Sequence, residues 1–193
     1  MRLLLPFALV LSMSNGEIER AQQVARSRDS ERQQFHRRYV FDLKDDTVTQ
    51  VEVITEFRRL VLVTEEHIFR GDWLFSRSLR SAGEALATSH GLTTIRATVR
   101  FNPLNTFITP PAYLLTMSAD DPRNPPVVLE TQVTPQFSVP FKARTGRIVS
   151  SLVGATLEST LPTTQLGQMS RVLSVILDGK EVARATVEFG KLD

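Results

Sequence analysis

The chain has 193 residues, of which 41% are hydrophobic and 23% are charged. It contains no cysteine, which excludes disulfides, thiolate metal sites and a cysteine nucleophile. The net charge of +2 argues against the clustered basic surface that nucleic acid binding needs, and the pI of 9.3 reflects how few groups titrate between pH 7 and 10. The excess of arginine over lysine is typical of a GC-rich bacterial genome.

The first sixteen residues have the three-part pattern of a secretory leader. Met1 and Arg2 give a basic start, residues 3–11 form an apolar run, and residues 12–16 are polar and mostly small. As a helix the apolar run would cover about 14 Å, against a hydrocarbon core of about 30 Å, so it cannot span a membrane. No later apolar run is longer, so we predict no transmembrane segment.

We therefore predict a signal peptide over residues 1–16, and a secreted or periplasmic protein. Cleavage after Gly16 puts Ser14 and Gly16 at the two small-residue positions, and Ser12 and Ser14 are alternative cleavage points. The competing interpretation is a frayed start or a buried N-terminal strand.

Residues 17–38 are charged and rich in glutamine, with no glycine or proline. Ile18, Ala21, Val24 and Ala25 fall at helical spacing, but this apolar stripe is thin. The pattern predicts an arm that is either helical or partly disordered.

Strands are predicted from residue 39 onward. Residues 39–43 and 48–55 flank a polar turn at 44–47, which indicates a half-buried hairpin. Residues 57–63 fit a helix by spacing, but their valine content favours a strand, which is our prediction. Residues 76–89 are predicted as one inserted helix that ends before Gly91.

Residues 92–101 alternate cleanly, which predicts a strand with one buried and one wet face. Shorter strands are predicted at 113–117 and 127–133. Pro135 and Pro140 restrict the segment that follows to irregular or edge structure.

Residues 147–161 are predicted as one long strand, with Val149, Val153, Ala155, Leu157 and Leu161 on its buried face. Gly154 lies inside it, which indicates a bulge or a close backbone approach.

Residues 171–189 are predicted as a hairpin that turns at Asp178 and Gly179. A three-residue loop over 177–179 brings the apolar side chains to one face, whereas pairing Val175 with Val182 would scatter them. The apolar face has these members: Leu173, Val175, Ala183, Ala185, Val187 and Phe189.

Together these elements predict a mainly β fold: an antiparallel β-sandwich, Ig-like or related. It occupies residues 39–193 as a single domain, with an N-terminal helical arm and one inserted helix.

No catalytic, cofactor or metal motif is present in the sequence, so we predict no catalytic residue, no cofactor site and no metal site. The densest polar cluster is Glu65, Glu66 and His67 with Asp72, where at most Glu65 and His67 would share a strand face. The paired acids at 45–46 and 120–121 lack the ligand pattern of a calcium loop.

The leading hypothesis for function is an exported, non-enzymatic binding or structural module. Its partner would be another protein, held by an exposed strand edge or by the arm at 17–38. One alternative is a hydrolase that uses a carboxylate pair from this set: Glu56, Glu65, Glu66 and Asp72. Another is a carbohydrate-binding module built on Trp73, with Tyr113 as the one candidate second ring.

Overall fold

The structure is a computed structural model that describes residues 13–43, 47–102, 104–119, 125–142 and 146–192. Residues 1–12 of the predicted leader lie outside this part, as do the paired acids at 45–46 and 120–121. The described α-helices are α1 (Asn15–Ala25), α2 (Asp29–Arg37), α3 (Glu56–Phe69) and α4 (Leu79–Leu86). Within the described ranges, no helix combines the length and apolar character needed to cross a membrane.

The strands form two main antiparallel sheets and one small hairpin. Their bounds are β1 (Val40–Asp42), β2 (Val48–Ile54), β3 (Leu92–Arg100), β4 (Tyr113–Ala119), β5 (Val127–Leu129), β6 (Gln132–Phe137), β7 (Phe141–Lys142), β8 (Ile148–Val149), β9 (Leu152–Pro162), β10 (Ser170–Leu177) and β11 (Lys180–Glu188). The five-stranded sheet has the order β1-β2-β3-β9-β6, the four-stranded sheet β11-β10-β4-β5, and β7 pairs with β8. Strand residues outnumber helical residues in the described part of the chain, so the fold is mainly β, and each main sheet has an edge strand at both ends of its strand order.

Buried side chains from both sheets belong to one apolar cluster, which we call the sheet core. The alternation predicted for β3 is confirmed, because Ile95, Ala97 and Val99 are buried with no exposed surface. Leu157 of β9 and Leu173 of β10 join the same cluster. Every second residue of these strands therefore packs into the sheet core, because successive side chains of a strand point to opposite faces.

A second apolar cluster, the helical core, forms between the helices. Its buried members are Ile18, Ala21, Ala25, Phe57, Leu60, Val61, Phe75, Ala82 and Leu86. The predicted arm consists of α1 and α2, and α1 buries its apolar stripe against α3. Phe35 of α2 packs against both clusters, so this side chain connects the helices to the sheets.

The strand predicted at 57–63 is wrong, because these residues lie in α3. Thr55 begins the helix by accepting a hydrogen bond from the backbone N–H of Arg58. The buried positions Phe57, Leu60 and Val61 follow the helical period, which overrides the strand preference of valine. Two α-helices, rather than one, are therefore inserted between β2 and β3.

The single strand predicted at 127–133 is also wrong, because the chain changes sheets there. β5 belongs to the four-stranded sheet and β6 to the five-stranded sheet. At the break, the hydroxyl of Thr131 donates to the carbonyl of Leu129 and accepts from the N–H of Leu115. The prediction that Pro135 belongs to edge or irregular structure is confirmed, since β6 is an edge strand.

The long strand predicted at 147–161 is divided into β8 and β9. The register of β6 against β9 shifts between Gln136 and Phe137, which leaves Val153 as an extra residue in β9. Val153 is consequently exposed instead of buried. The close approach predicted at Gly154 is confirmed, because a Cβ there would clash with the carbonyl oxygen of Val99.

The predicted pairing of the last hairpin is confirmed in its faces but not in its loop. Val175 lies opposite Ala183 and not opposite Val182, so the apolar side chains share one side, as predicted. The turn, however, has two residues, Asp178 and Gly179, both with positive φ. A bulge at Val182 brings the apolar side chains to the common face that the prediction obtained from a three-residue loop, although the pairing itself differs from that of such a loop.

Candidate functional site: an apolar end and a free strand edge

The acids proposed for hydrolase chemistry are bound to different partners. Glu56 accepts from His90 Nδ1 at 2.6 Å, Glu65 pairs with His36 at 3.1 Å, and Glu66 pairs with Arg70 at 2.5 Å. These glutamates lie along α3, so the structure does not bring them into one carboxylate pair. No group of three metal-ligating side chains exists in the described part of the chain.

Asp72 and His67 are joined to each other at the end of α3. His67 Nδ1 lies 2.9 Å from an oxygen of Asp72, and its ring stacks on Phe75 with centroids 3.8 Å apart. The hydrogen bond from His67 lowers the pKa of Asp72, helped by the backbone N–H of Phe75. A lowered pKa keeps this carboxylate ionised, which is the opposite of what a general acid needs. Glu65 and His67 do not share the strand face expected for them, since the segment is helical.

The two aromatic residues considered for sugar binding are not equivalent. Tyr113 is only 3% exposed and belongs to the sheet core, so it cannot form a binding platform. Trp73 is 56% exposed, so the full burial that would exclude a sugar site there is not observed. The other exposed large apolar residues close to Trp73 in the sequence are Leu74, which is aliphatic, and Phe69.

The outer face of the five-stranded sheet carries charges that balance one another. Arg96 bonds Glu158 at 2.6 Å and Glu52 at 3.3 Å across neighbouring strands. Arg58 pairs with the same Glu52 from α3 and is only 2% exposed. Burial lowers the pKa of Arg58, and the nearby Glu52 opposes that shift. Two arginines and two glutamates therefore join α3 to the sheet.

One end of the molecule exposes many apolar side chains, and we call it the apolar end. It is formed by described residues of the loop after β3, the end of β6, the hairpin of β7 and β8, and the start of β9. Its exposed members are Leu104, Phe107, Ile108, Phe137, Val139, Ile148, Val149 and Val153. Among these, Leu104, Ile108, Val139 and Ile148 are 78–90% exposed.

Hydrogen bonds hold the segments of the apolar end side by side. The amide of Asn105 donates to the carbonyl of Leu152 at 3.0 Å, and the N–H of Phe101 donates to the carbonyl of Val153 at 2.9 Å. Ser138 donates to the carbonyl of Ser151 at 2.8 Å. The segments that carry the exposed apolar groups therefore lie side by side at this end of the molecule.

Sequence reasoning missed this surface, although a signal was present. Residues 101–119 contain no charged residue, and neither do residues 131–141 and 148–157, in a chain that is 23% charged. Solvated loops of this length normally carry charges, and large exposed apolar patches usually mark binding sites. The arm at 17–38, which was one predicted contact surface, instead buries Ile18, Ala21 and Ala25.

The other predicted contact surface, a strand edge, can be assessed strand by strand. The edge strands β1 and β5 have three residues each, and β6 is interrupted by Pro135. β11 has nine residues and no proline, and β10 is its one strand partner within the described ranges. β11 is therefore the edge best able to accept another strand.

No family model matches the chain, and no curated protein or solved structure shows significant similarity to it.

Proposed function

We propose that this protein is an exported, non-enzymatic binding module that contacts another protein through its apolar end. The observation that carries this proposal is the set of exposed apolar side chains from Leu104 to Val153, whose segments are hydrogen-bonded side by side at one end of the molecule. Burying such side chains stabilises a complex by roughly 25 cal/mol per Å² of apolar surface, before the costs of association.

The partner that fits this surface is a protein with an apolar contact region. The exposed members are bulky aliphatic and phenyl groups, without the tyrosine and tryptophan hydrogen-bonding groups that suit a polar ligand. The hydrogen bonds from the Asn105 side chain to Leu152, and between the backbones of Ser138 and Ser151, hold these segments in place before binding. Such ordering lowers the entropic cost of forming a complex.

The scaffold is proposed to be an antiparallel β-sandwich, Ig-like or related. Support comes from the sheet core, which takes buried side chains from both sheets. Secretion or a periplasmic location is proposed from the leader pattern of residues 1–16. The structure bears on the cleavage point, because Ser14 caps α1 and would be lost by a cut after Gly16.

The proposal is tested by removing apolar groups from the apolar end. A triple variant carries Ile108→Ser, Val139→Ser and Ile148→Ser, all at strongly exposed positions. Immobilised wild type and variant are incubated with the exported protein fraction of the host, and captured proteins are identified by mass spectrometry. We expect a defined partner on the wild type that is lost from the variant.

A matched control separates this surface from general stickiness. The control triple variant carries Phe69→Ser, Leu74→Ser and Met169→Ser, which are 71–92% exposed but lie elsewhere. It should retain the partner. A photoreactive residue at position 108 should crosslink to that partner, and one at position 69 should not. Equal capture by both triple variants, or no specific capture at all, contradicts the proposal.

A further inference from the structure

The open edge of the four-stranded sheet offers a surface that the apolar end does not use. The direction of its backbone groups follows from the neighbouring strands. Leu115 of β4 lies opposite Val175 of β10, and its N–H donates to the Thr131 hydroxyl, which lies on the side away from β10. Opposite residues in an antiparallel pair exchange two hydrogen bonds or none, so the backbone groups of Val175 point toward β11.

The same alternation continues into β11. Ala183 lies opposite Val175, and Ala185 and Val187 follow at every second position, so these residues bond toward β10. The residues between and after them direct their N–H and C=O groups to the open edge: Arg184, Thr186 and Glu188. Arg184 and Thr186 have no backbone hydrogen bond among the described turns and loops, whereas the carbonyl of Glu188 already serves the 3₁₀ turn that it caps.

This edge is complementary to itself. If two copies of β11 run antiparallel about a twofold axis at Thr186, Arg184 lies opposite the partner's Glu188, and Thr186 lies opposite the partner's Thr186. Opposite charges and paired threonines are both favourable cross-strand neighbours. The two Thr186 residues can therefore exchange two backbone hydrogen bonds, and the carbonyl of Arg184 can accept from the N–H of the partner's Glu188.

Local structure confines the pairing to this stretch. The bulge at Val182 disturbs the strand on one side, and a 3₁₀ turn, Phe189–Lys191, ends it on the other. The side chains of Arg184 and Glu188 are more than half exposed, with Glu181 and Lys191 as their ion-pair neighbours in the same copy. Both charged groups are therefore available to a facing strand.

We propose that the protein forms a twofold homodimer in which β11 pairs antiparallel with the partner copy's β11 through residues 184–188, giving one continuous eight-stranded sheet. The interface is isologous, because the same patch serves both copies. It is independent of the apolar end, which lies on other segments of the chain and stays available to a second protein.

The test measures the molar mass of the purified full chain by sedimentation velocity across a dilution series. Arg184→Glu and Glu188→Arg each place like charges opposite one another twice per dimer, so each should weaken dimerisation by roughly tenfold. The double variant Arg184→Glu/Glu188→Arg restores opposite charges and should recover the dimer. The control Arg80→Glu reverses one residue of an exposed ion pair on α4 and should leave the dimer unchanged.

A backbone variant tests the pairing directly. Thr186→Pro removes an N–H that points to the open edge, so it should abolish the dimer while the monomer keeps its circular dichroism spectrum. A wild type that stays monomeric at every concentration overturns the proposal. A dimer that neither the charge reversals nor Thr186→Pro weakens also overturns it, and neither result bears on the protein bound at the apolar end.

Discussion

The sheet core is built almost entirely from apolar side chains, whereas the helical core is surrounded by charged pairs. α3 alone contributes an acid or a histidine to three histidine–carboxylate contacts, with His36, Asp72 and His90. It also sends Arg58 to Glu52 at the sheet. The sheets are therefore specified by the alternation of apolar and polar residues along each strand, whereas the helices depend on polar contacts that fix their positions.

The largest expected effect comes from cutting a cavity in each core. Leu60→Ala in the helical core and Leu157→Ala in the sheet core should each lower the free energy of unfolding by about 2–5 kcal/mol. Because Phe35 packs against both cores, we expect both to unfold in one transition. Urea unfolding followed by circular dichroism and by fluorescence of Trp73, the single tryptophan, checks this.

Trp73 lies two residues before Phe75 of the helical core, so its fluorescence reports on that core. Coincident curves from both probes, shifted alike by the two substitutions, would show one cooperative unit. If the fluorescence curve moves only with Leu60→Ala and separates from the circular dichroism curve, the two cores are independent.

Removing the contact of Arg58 with Glu52, which joins α3 to the five-stranded sheet, should have the next largest effect on stability. Arg58→Met leaves Glu52 without its buried partner and removes the donor to the carbonyl of Val53, so we expect a loss of about 3 kcal/mol. Arg80→Met removes an exposed helical ion pair and should change stability by less than about 0.5 kcal/mol. Urea unfolding of both variants measures the difference, and similar losses would refute a special role for Arg58.

The sheets could be predicted from the sequence further than the helices could. The alternation of β3, the edge position of Pro135 and the close approach at Gly154 all follow from local patterns. α3 could not be recognised in this way, since its valines favour a strand while its helical stripe finds its partner in α1, more than thirty residues away.

The candidate surfaces were hidden for a related reason. The apolar end joins Asn105 to Leu152, and the open edge of β11 is defined only once the strand order is known. Both depend on contacts between distant segments. The lack of charged residues over 101–119 is nevertheless visible in the sequence, and it indicates a surface that contacts another molecule.

The start of the helical core offers a smaller test, which also bears on the leader. The Ser14 hydroxyl accepts from the N–H of Glu17, and the Glu17 carboxylate accepts from the N–H of Ser14 at 2.7 Å. A chain that starts at Glu17 loses this capping box, so it should be less stable by about 1 kcal/mol than one that starts at Met13. Thermal unfolding should show a midpoint lower by about 2–4 °C. Equal midpoints would mean that a cut after Gly16 costs the helical core nothing.

The smallest expected effect concerns the charged border of the helical core at Asp72. Its pKa is lowered from 3.8 by the hydrogen bond from His67, so the folded state holds the ionised form more strongly than the unfolded chain does. Its contribution to stability is therefore present above about pH 4 and is lost as the pH falls through the lowered folded value.

Asp72→Asn should be slightly less stable than wild type at pH 7, and the difference should disappear in strong acid. Glu84→Gln, which removes the carboxylate of an exposed ion pair with Arg80, is the matched control for thermal unfolding across this pH range. If the stability difference between Asp72→Asn and wild type persists unchanged down to pH 2, the charge of Asp72 does not contribute to stability through His67. Arg58 would then be the remaining tested charged contact that stabilises the helical core.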